Sequence, residues 1–156
     1  MADHAGPPTP AAVVFSDLVR VETRLYNALD AALRDAHGLT LGAFEFLRFI
    51  RSHGSARVAD LAAEFAIGVG ATSKGVDRME ANGWLERLPN PANRRSSLLS
   101  VTDAGAVLLE GAERSFDVEF RRLTTSADPA ALSALAATLG ALRGELESGR
   151  IGQPAG

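Results

Sequence analysis

The spacing of apolar residues changes period once along this chain, and that change limits the folds the chain can adopt. Over most of its length the apolar residues recur every three or four positions, which is typical of α-helices. Residues 84–88 instead alternate apolar and polar side chains, and residues 98–101 do so more loosely. The residues between these two runs are rich in turn formers and cannot form a helix. The pattern predicts a mainly α-helical fold with one small β-hairpin.

Six helices are predicted around this hairpin. Gly38 and Gly54 are the stop signals of the first two helices, and Thr102 is placed to cap the fifth. A turn at residues 66–70, with two glycines able to adopt positive φ, separates the third and fourth helices. The predicted helices span about residues 11–36, 41–52, 58–65, 72–80, 103–124 and 129–148.

A helix, a turn and a second helix, followed by a hairpin with a basic tip, form the arrangement of a winged helix-turn-helix. We assign this domain to residues 39–102. The helices at residues 11–36 and 103–148 carry long apolar stripes that must be buried, so we predict that they form a dimerisation region. Residues 1–10, with three prolines and a glycine, are interpreted as a flexible arm, and residues 149–156 as a tail.

The composition excludes several classes of protein. Because the 156 residues include no cysteine, disulfides, thiolate zinc sites and thiol redox chemistry are excluded. No apolar run approaches the ~18 residues of a membrane-spanning helix, and no secretory signal is visible, so we expect a cytoplasmic protein. His4, His37 and His53 share no metal-ligand spacing, and the sequence predicts no metal site and no cofactor.

Enzymatic activity is not predicted. Residues 68–74 superficially resemble a phosphate-binding loop, but the required Gly-Lys-Ser/Thr order is absent and no strand precedes them. The chain has no Gly-x-Ser-x-Gly nucleophile motif, and no nucleophile is accompanied by a suitable general base. We therefore expect a binding protein and not an enzyme.

Charge is distributed unevenly along the chain. The net charge is −3, but residues 68–101 hold five basic and three acidic residues and so carry +2. The remainder must therefore carry −5. A local basic region on an acidic body can bind DNA while the body repels it elsewhere.

The fourth helix is the predicted recognition helix. The DNA major groove is ~12 Å wide and admits one helix, whose N-terminal residues then reach the base edges. We assign base contacts to Thr72, Ser73 and Lys74, which follow the glycine-containing turn. Arg78 lies one turn further on and is assigned a phosphate contact. Thr72 and Ser73 could equally serve only as caps of this helix.

The tip of the hairpin is the predicted minor-groove contact. No acidic residue lies within residues 89–97, so Arg94 and Arg95 have no local neutralising charge. Ser96 adds a hydroxyl that could donate to a phosphate oxygen. An isolated basic pair is usually only solvated surface, but the helix-turn-helix context favours DNA contact here. Trp84 is interpreted as a core residue under the hairpin.

Four motifs occur in the order and spacing of a known family. They are Val58-Ala59-Asp60-Leu61-Ala62, Asp77-Arg78-Met79-Glu80-Ala81-Asn82-Gly83-Trp84-Leu85-Glu86-Arg87, Asn93-Arg94-Arg95 and Val101-Thr102-Asp103-Ala104-Gly105. Through these motifs, the chain from about Leu39 to Glu110 resembles the MarR (multiple-antibiotic-resistance regulator) family of bacterial transcription factors.

The resemblance implies a homodimer in which the first helix and the last two helices interlock. It also implies a palindromic operator and a wing arginine in the minor groove. A small aromatic or anionic ligand would bind between the dimerisation and DNA-binding regions and release the DNA. Four residues lie on helices that line this effector cleft in the family, although aromatic side chains at helical spacing are more often core. They are Tyr26, His37, Phe46 and Phe116.

One position departs from the family pattern. The family usually has an aspartate two residues before the tip arginine, and Asn93 stands there before Arg95. An aspartate would steady the arginine through an ion pair, whereas an asparagine offers a hydrogen-bond acceptor without charge. The resemblance therefore implies a wing that is more mobile and more cationic in this chain.

These predictions together indicate a cytoplasmic transcriptional regulator, a repressor and not an activator, that binds DNA as a homodimer. Two-fold symmetry would place the two recognition helices ~34 Å apart, which is one turn of DNA. The alternative is a winged-helix module for protein interaction or small-molecule binding without DNA binding. Its support is the acidic net charge and the altered wing.

Overall fold

A computed structural model describes residues 10–154 of the chain. Within this range there are six helices and one antiparallel hairpin, which confirms the predicted fold class. The elements are α1 (Pro10–His37), α2 (Leu41–His53), α3 (Val58–Glu64), α4 (Val69–Ala81), β1 (Leu85–Pro89), β2 (Ser97–Val101), α5 (Asp103–Leu123) and α6 (Pro129–Ser148). Pro10 begins α1, so the rest of the predicted arm, with His4, lies outside the described residues, as do residues 155–156 of the predicted tail.

Side chains and glycines mark the helix ends largely where the sequence predicts them. The Thr102 hydroxyl accepts a hydrogen bond from the Gly105 N–H at 3.0 Å, which confirms the predicted cap of α5. Thr40 caps α2 and Asp128 caps α6 in the same way. Gly54 adopts a left-handed φ of 60° directly after α2, as its stop signal predicts.

The turn between α3 and α4 differs from the prediction. Helix α4 begins at Val69, three residues earlier than expected, and Gly68 is its N-cap with an ordinary φ of −61°. The left-handed position belongs to Ala66, with φ 49°, and to neither glycine of the predicted turn. Gly70 lies inside the first turn of α4. The connection between α3 and α4 therefore ends earlier than the turn at residues 66–70 that the glycines predict.

One hydrophobic core joins the first five helices to the hairpin. Its largest fully buried side chains come from α1, α2, α3, α4, both strands and α5, and include Leu33, Phe44, Leu61, Met79, Leu99 and Leu109. The Leu99 N–H donates to the Ala56 carbonyl at 2.8 Å, which ties β2 to the segment before α3. Trp84 is half-buried and packs against this core, in agreement with its interpretation as a core residue.

Two apolar faces are left uncovered by the described residues. The first half of α1 exposes Val14, Phe15 and Leu18, whereas Leu29 and Leu33 in its second half are buried. Helix α6 has no buried residue, and its leucine stripe is exposed. No described helix is both long and apolar enough to cross a membrane.

The contact between Gly105 and the residue that precedes β1 leaves no room for a side chain. An added Cβ would lie 1.9 Å from the Trp84 carbonyl oxygen, which accepts a hydrogen bond from the Thr102 N–H at 3.1 Å. We expect Gly105→Ala to lower the free energy of unfolding by ~1–3 kcal/mol, because backbone must move to admit the methyl group. Urea unfolding followed by circular dichroism measures this difference.

The matched control is Gly144→Ala in α6, where an added Cβ meets nothing within 4 Å. We expect this variant to be neutral or more stable by up to ~1 kcal/mol, because alanine favours helix over glycine. Equal stability of Gly105→Ala and the natural chain would show that the close approach does not constrain the fold.

Candidate nucleic-acid interface

Helix α4 presents two cations on its exposed side. Lys74 and Arg78 are both exposed, and neither forms an ion pair within residues 10–154. The Arg78 Nε donates to the Lys74 carbonyl at 3.3 Å, which leaves the rest of its guanidinium available. Ser73, which precedes Lys74, is half-buried. This side of α4 is therefore basic and open to a polyanion.

Thr72 does not belong to this exposed surface, which corrects its predicted base contact. Its side chain is 1% exposed, and its hydroxyl donates to the Gly68 carbonyl at 3.1 Å. It also does not cap α4, since the N-cap is Gly68 without a side-chain hydrogen bond. Thr72 lies four residues before Val76 and seven before Met79, a spacing that puts all three side chains on the inner face of α4.

The tip of the hairpin is braced from inside by an asparagine that the sequence analysis overlooked. Asn90 is 9% exposed, and its Nδ2 donates to the Ser96 Oγ at 2.9 Å while its Oδ1 accepts from the Ala92 N–H at 3.0 Å. Asn93 Oδ1 in turn accepts from the Arg95 N–H at 3.0 Å. The sequence does hold a signal for this bracing, namely two asparagines in a run of turn formers, because asparagine side chains bond to nearby backbone.

The side chains of the two arginines at this tip are open to solvent. Arg94 and Arg95 are exposed and have no carboxylate partner among the described residues. The Ser96 hydroxyl donates to the Asn93 carbonyl at 3.3 Å and accepts from Asn90. Ser96 therefore has a role within the loop, and a bond to phosphate would replace one that it already makes.

An arginine in β1 connects the hairpin to α4. The Arg87 Nη2 lies 2.6 Å from the Asp77 Oδ1, and its Nη1 contacts the Glu80 carboxylate. Burial lowers the pKa of Arg87, but the hydrogen bond to Asp77 and the two negative charges outweigh it and raise the pKa overall. From the sequence, Arg87 is one of the five basic residues between positions 68 and 101 and the last residue of a family motif, and its two acidic partners were not predicted.

A cleft of about 460 Å³ lies between α1, α2 and the inner side of α4. Tyr26 and Phe46 both line it, as do Arg78 and Trp84. Gly75 also lines the cleft, and a Cβ added there would be in van der Waals contact with the Phe46 ring at 3.4 Å. The structure thus brings together two of the four predicted cleft residues.

The other two predicted cleft residues lie elsewhere. The His37 Nε2 is 2.8 Å from the Ser115 Oγ, in the contact between α1 and α5. Phe116 stacks on Phe44 with 5.2 Å between ring centroids and on Phe120 with 6.0 Å. His37 therefore packs from α1 against α5, and Phe116 packs from α5 against α2. The helical spacing of these two residues gives no information on which neighbour they face.

Asp30 fixes one wall of the cleft. Its Oδ1 accepts the Leu41 N–H at 2.8 Å and its Oδ2 bonds to the Arg34 Nε at 2.6 Å, so one carboxylate holds α1 against the start of α2. Burial raises the pKa of Asp30, but the bonds from Arg34 and the Leu41 N–H lower it by more.

Within the described residues, no group of three or more His, Asp or Glu side chains is placed to hold a metal ion.

Residues 39–97 match the model of the MarR family. Among curated proteins, the multiple antibiotic resistance protein MarR of Salmonella typhimurium is 35% identical over 72 residues, which cover 46% of this chain and 50% of that protein. An uncharacterised HTH-type transcriptional regulator of Bacillus subtilis, YwhA, is 29% identical over 62% of this chain and 71% of its own length. The chain spans about half the length of the MarR proteins that it matches.

Solved structures share the fold over most of the chain. A mutant MarR from Escherichia coli complexed with operator DNA aligns with a TM-score of 0.69 and 25% identity, over 81% of this chain and 93% of that one. Sco3205, a MarR family transcriptional regulator from Streptomyces coelicolor in complex with DNA, aligns with a TM-score of 0.81 and 21% identity, over 97% and 98%. Residues 39–97 are thus similar to the MarR family, and the chain shares its fold with MarR family regulators of known structure.

Proposed function

We propose that this chain is a DNA-binding transcriptional regulator, a repressor that binds a palindromic operator as a homodimer. The observation that carries the proposal is a set of four exposed cations that have no carboxylate partner within residues 10–154, on the two elements that a winged helix-turn-helix uses for DNA. They are Lys74, Arg78, Arg94 and Arg95. The DNA-bound relatives with the same fold support it.

The two elements would contact different parts of the duplex. Helix α4 would enter the major groove, with Ser73 and Lys74 toward the bases and Arg78 toward the backbone. Arg94 and Arg95 would reach the neighbouring minor groove, where the potential is most negative over A·T-rich sequence. The acidic remainder of the chain would then limit contact to these two elements.

A second copy of the chain would cover the uncovered apolar faces. The stripe on α6 exposes Leu135, Leu139, Leu142 and Leu146 by 39–50% each, and no described part of the chain buries them. Burial of such side chains stabilises by roughly 25 cal/mol for each Å² removed from water. Two-fold pairing through α1 and α6 would place the two α4 helices at successive turns of the duplex.

The cleft between α1, α2 and α4 would be the effector site. Tyr26, Phe46 and Trp84 supply aromatic surface, and Arg78 supplies a positive charge to it. Arg78 also belongs to the proposed DNA surface, so an anion in the cleft would compete with phosphate for the same guanidinium. A small aromatic anion is therefore the ligand class that we propose. The proposed function is binding without a catalytic step. We propose that it takes place in the cytoplasm, where the chromosome is.

The decisive test is binding to labelled duplex from immediately upstream of the chain's own gene, measured by fluorescence anisotropy at several salt concentrations. The proposal predicts tight binding that resists random competitor DNA and weakens steeply with salt. If the chain binds the upstream duplex no more strongly than random DNA, the operator lies elsewhere in the genome, and other genomic sequences would be tested next. Failure to bind any duplex at low salt would favour the protein-interaction alternative.

The wing contact is tested by Arg95→Ala. We expect DNA binding to weaken by ~1–3 kcal/mol and the salt slope to fall by about one, because one guanidinium leaves the interface. The control is Arg121→Ala, which removes an exposed arginine of α5 that also lacks an ion pair. If both variants bind as the natural chain does, the wing does not contact DNA.

The wing asparagine is tested by Asn93→Asp. The carboxylate keeps an acceptor for the Arg95 N–H and adds a charge near its guanidinium, so we expect a less mobile wing and DNA binding tighter by up to ~1 kcal/mol. NMR relaxation of the wing amides and anisotropy measure the two effects. Asn93→Ala, which removes the acceptor, should loosen the wing. Unchanged mobility and affinity in Asn93→Asp would remove the ion-pair argument.

The cleft is tested with benzoate, a small aromatic anion, and with uncharged benzamide as control. Trp84 is the only tryptophan in the chain and lines the cleft, so its fluorescence reports occupancy directly. We expect benzoate to change this fluorescence and to weaken DNA binding about fivefold or more. Gly75→Leu, which fills the cleft, should abolish both responses to benzoate. A fluorescence titration that is flat for benzoate would exclude this ligand class.

A further inference from the structure

Arg87 joins the two proposed DNA-contacting elements through its side chain. Strand β1 alternates, so that Leu85 and Arg87 face the body of the domain while Glu86 and Leu88 are exposed. Leu85 is fully buried, but two residues further along the same face the contact with α4 is ionic. Arg87 is therefore the point where the outer half of β1 is held to α4.

The geometry of this contact suits a guanidinium and no other cation. Asp77 and Glu80 lie three residues apart on α4, and Arg87 bonds to both with separate nitrogens. The planar fork of arginine can satisfy two acceptors at once in a fixed orientation, whereas a lysine ammonium is a single point. The Arg87 side chain is 25% exposed, and therefore less screened by solvent than a fully exposed pair.

The contact also determines the charge that α4 offers to DNA. Lys74, Asp77, Arg78 and Glu80 are the charged residues of α4, and they sum to zero. With Arg87 bound to the two carboxylates, Lys74 and Arg78 would approach DNA with their neighbouring acids partly neutralised. Without Arg87, both carboxylates would stand unpaired on the helix that approaches DNA.

We propose that Arg87 is a positioning residue for DNA binding, which ties the wing to the recognition helix so that both reach the duplex together. The proposal rests on the proposed function. It assigns the coupling between the wing tip and α4 to one side chain that touches neither base nor phosphate. The backbone bond from the Trp84 N–H to the Met79 carbonyl holds only the base of the hairpin to α4, and the bond from the Leu99 N–H to the Ala56 carbonyl leads away from α4 to the segment before α3.

A double-mutant cycle between Arg87 and Arg95 tests this coupling. The probe is a duplex selected from a random-sequence pool by the natural full-length chain, and the readout is its dissociation constant by anisotropy. We expect Arg87→Met to weaken binding about tenfold, and Arg95→Ala to cost about fivefold less in the Arg87→Met background than in the natural chain. Additive losses, or an Arg87→Met affinity equal to that of the natural chain, would overturn the proposal.

Neutralising the acids separates positioning from charge. The triple variant combines Arg87→Met with Asp77→Asn and Glu80→Gln. It leaves neither of the two α4 carboxylates unpaired, because both are removed, but it still lacks the tie between the wing and α4. We expect the reduced contribution of Arg95 to persist in this triple variant. If the triple variant instead binds as tightly as the natural chain and regains the full cost of Arg95→Ala, charge alone explains Arg87 and the positioning role is wrong.

Further variants keep the test independent of folding and of the proposed function. Arg87→Lys, which can pair with one carboxylate, should give an intermediate affinity, and thermal melts identify any variant that fails to fold. If Arg87→Met does not fold, Asp77→Asn with Glu80→Gln removes the same tie from the α4 side and should reduce the contribution of Arg95 likewise. A natural chain that selects no duplex would overturn the proposed function itself, whereas a tight natural binder with an additive cycle would overturn only the role of Arg87.

Discussion

The junction between α4, the hairpin and α5 is the constraint on which the rest of the domain depends. Gly83 turns the chain out of α4 with a left-handed φ of 74°, and the Trp84 N–H bonds back to the Met79 carbonyl at 3.0 Å. At the other end of the hairpin, the Thr102 hydroxyl donates to the Gly83 carbonyl at 2.6 Å while capping α5. A few residues thus fix where the hairpin leaves α4 and where it delivers the chain to α5. Gly105 closes the junction, because only a residue without a side chain fits against the backbone there.

The position of the unpaired cations matters for the proposed DNA surface. Half of the described acids pair with arginines, as in Arg57–Asp60 and Arg122–Glu119, so their charges are locally compensated. Among the cations that have no carboxylate partner within residues 10–154, four lie on α4 and at the wing tip. A chain with a net charge of −3 can therefore present a positive surface, because the sum over residues says little about which charges are already paired.

The sequence predicted those features that depend on local interactions. The fold class, the cap at Thr102 and the stop at Gly54 follow from neighbours within a few residues, and the structure agrees with them. Thr72 was misplaced because the first residues of the helix were assigned to DNA as a group, although its spacing from Val76 and Met79 puts Thr72 on the buried face. His37 is a different case. Its bond to a residue 78 positions away is set by tertiary packing, and helical periodicity shows only that such a residue lies on one side of its helix.

Helix α6 has a consequence for the concentration dependence of this protein. Because the described residues leave Leu135, Leu139, Leu142 and Leu146 39–50% exposed, this apolar face is fully removed from water only when a second copy covers it. Under the proposed assembly, the concentration of the dimer would rise with the square of the chain concentration when chains are scarce. Halving the chain concentration would then leave only about a quarter of the working dimer. The leucine stripe would thereby turn a gradual change in chain concentration into a sharper change in gene expression.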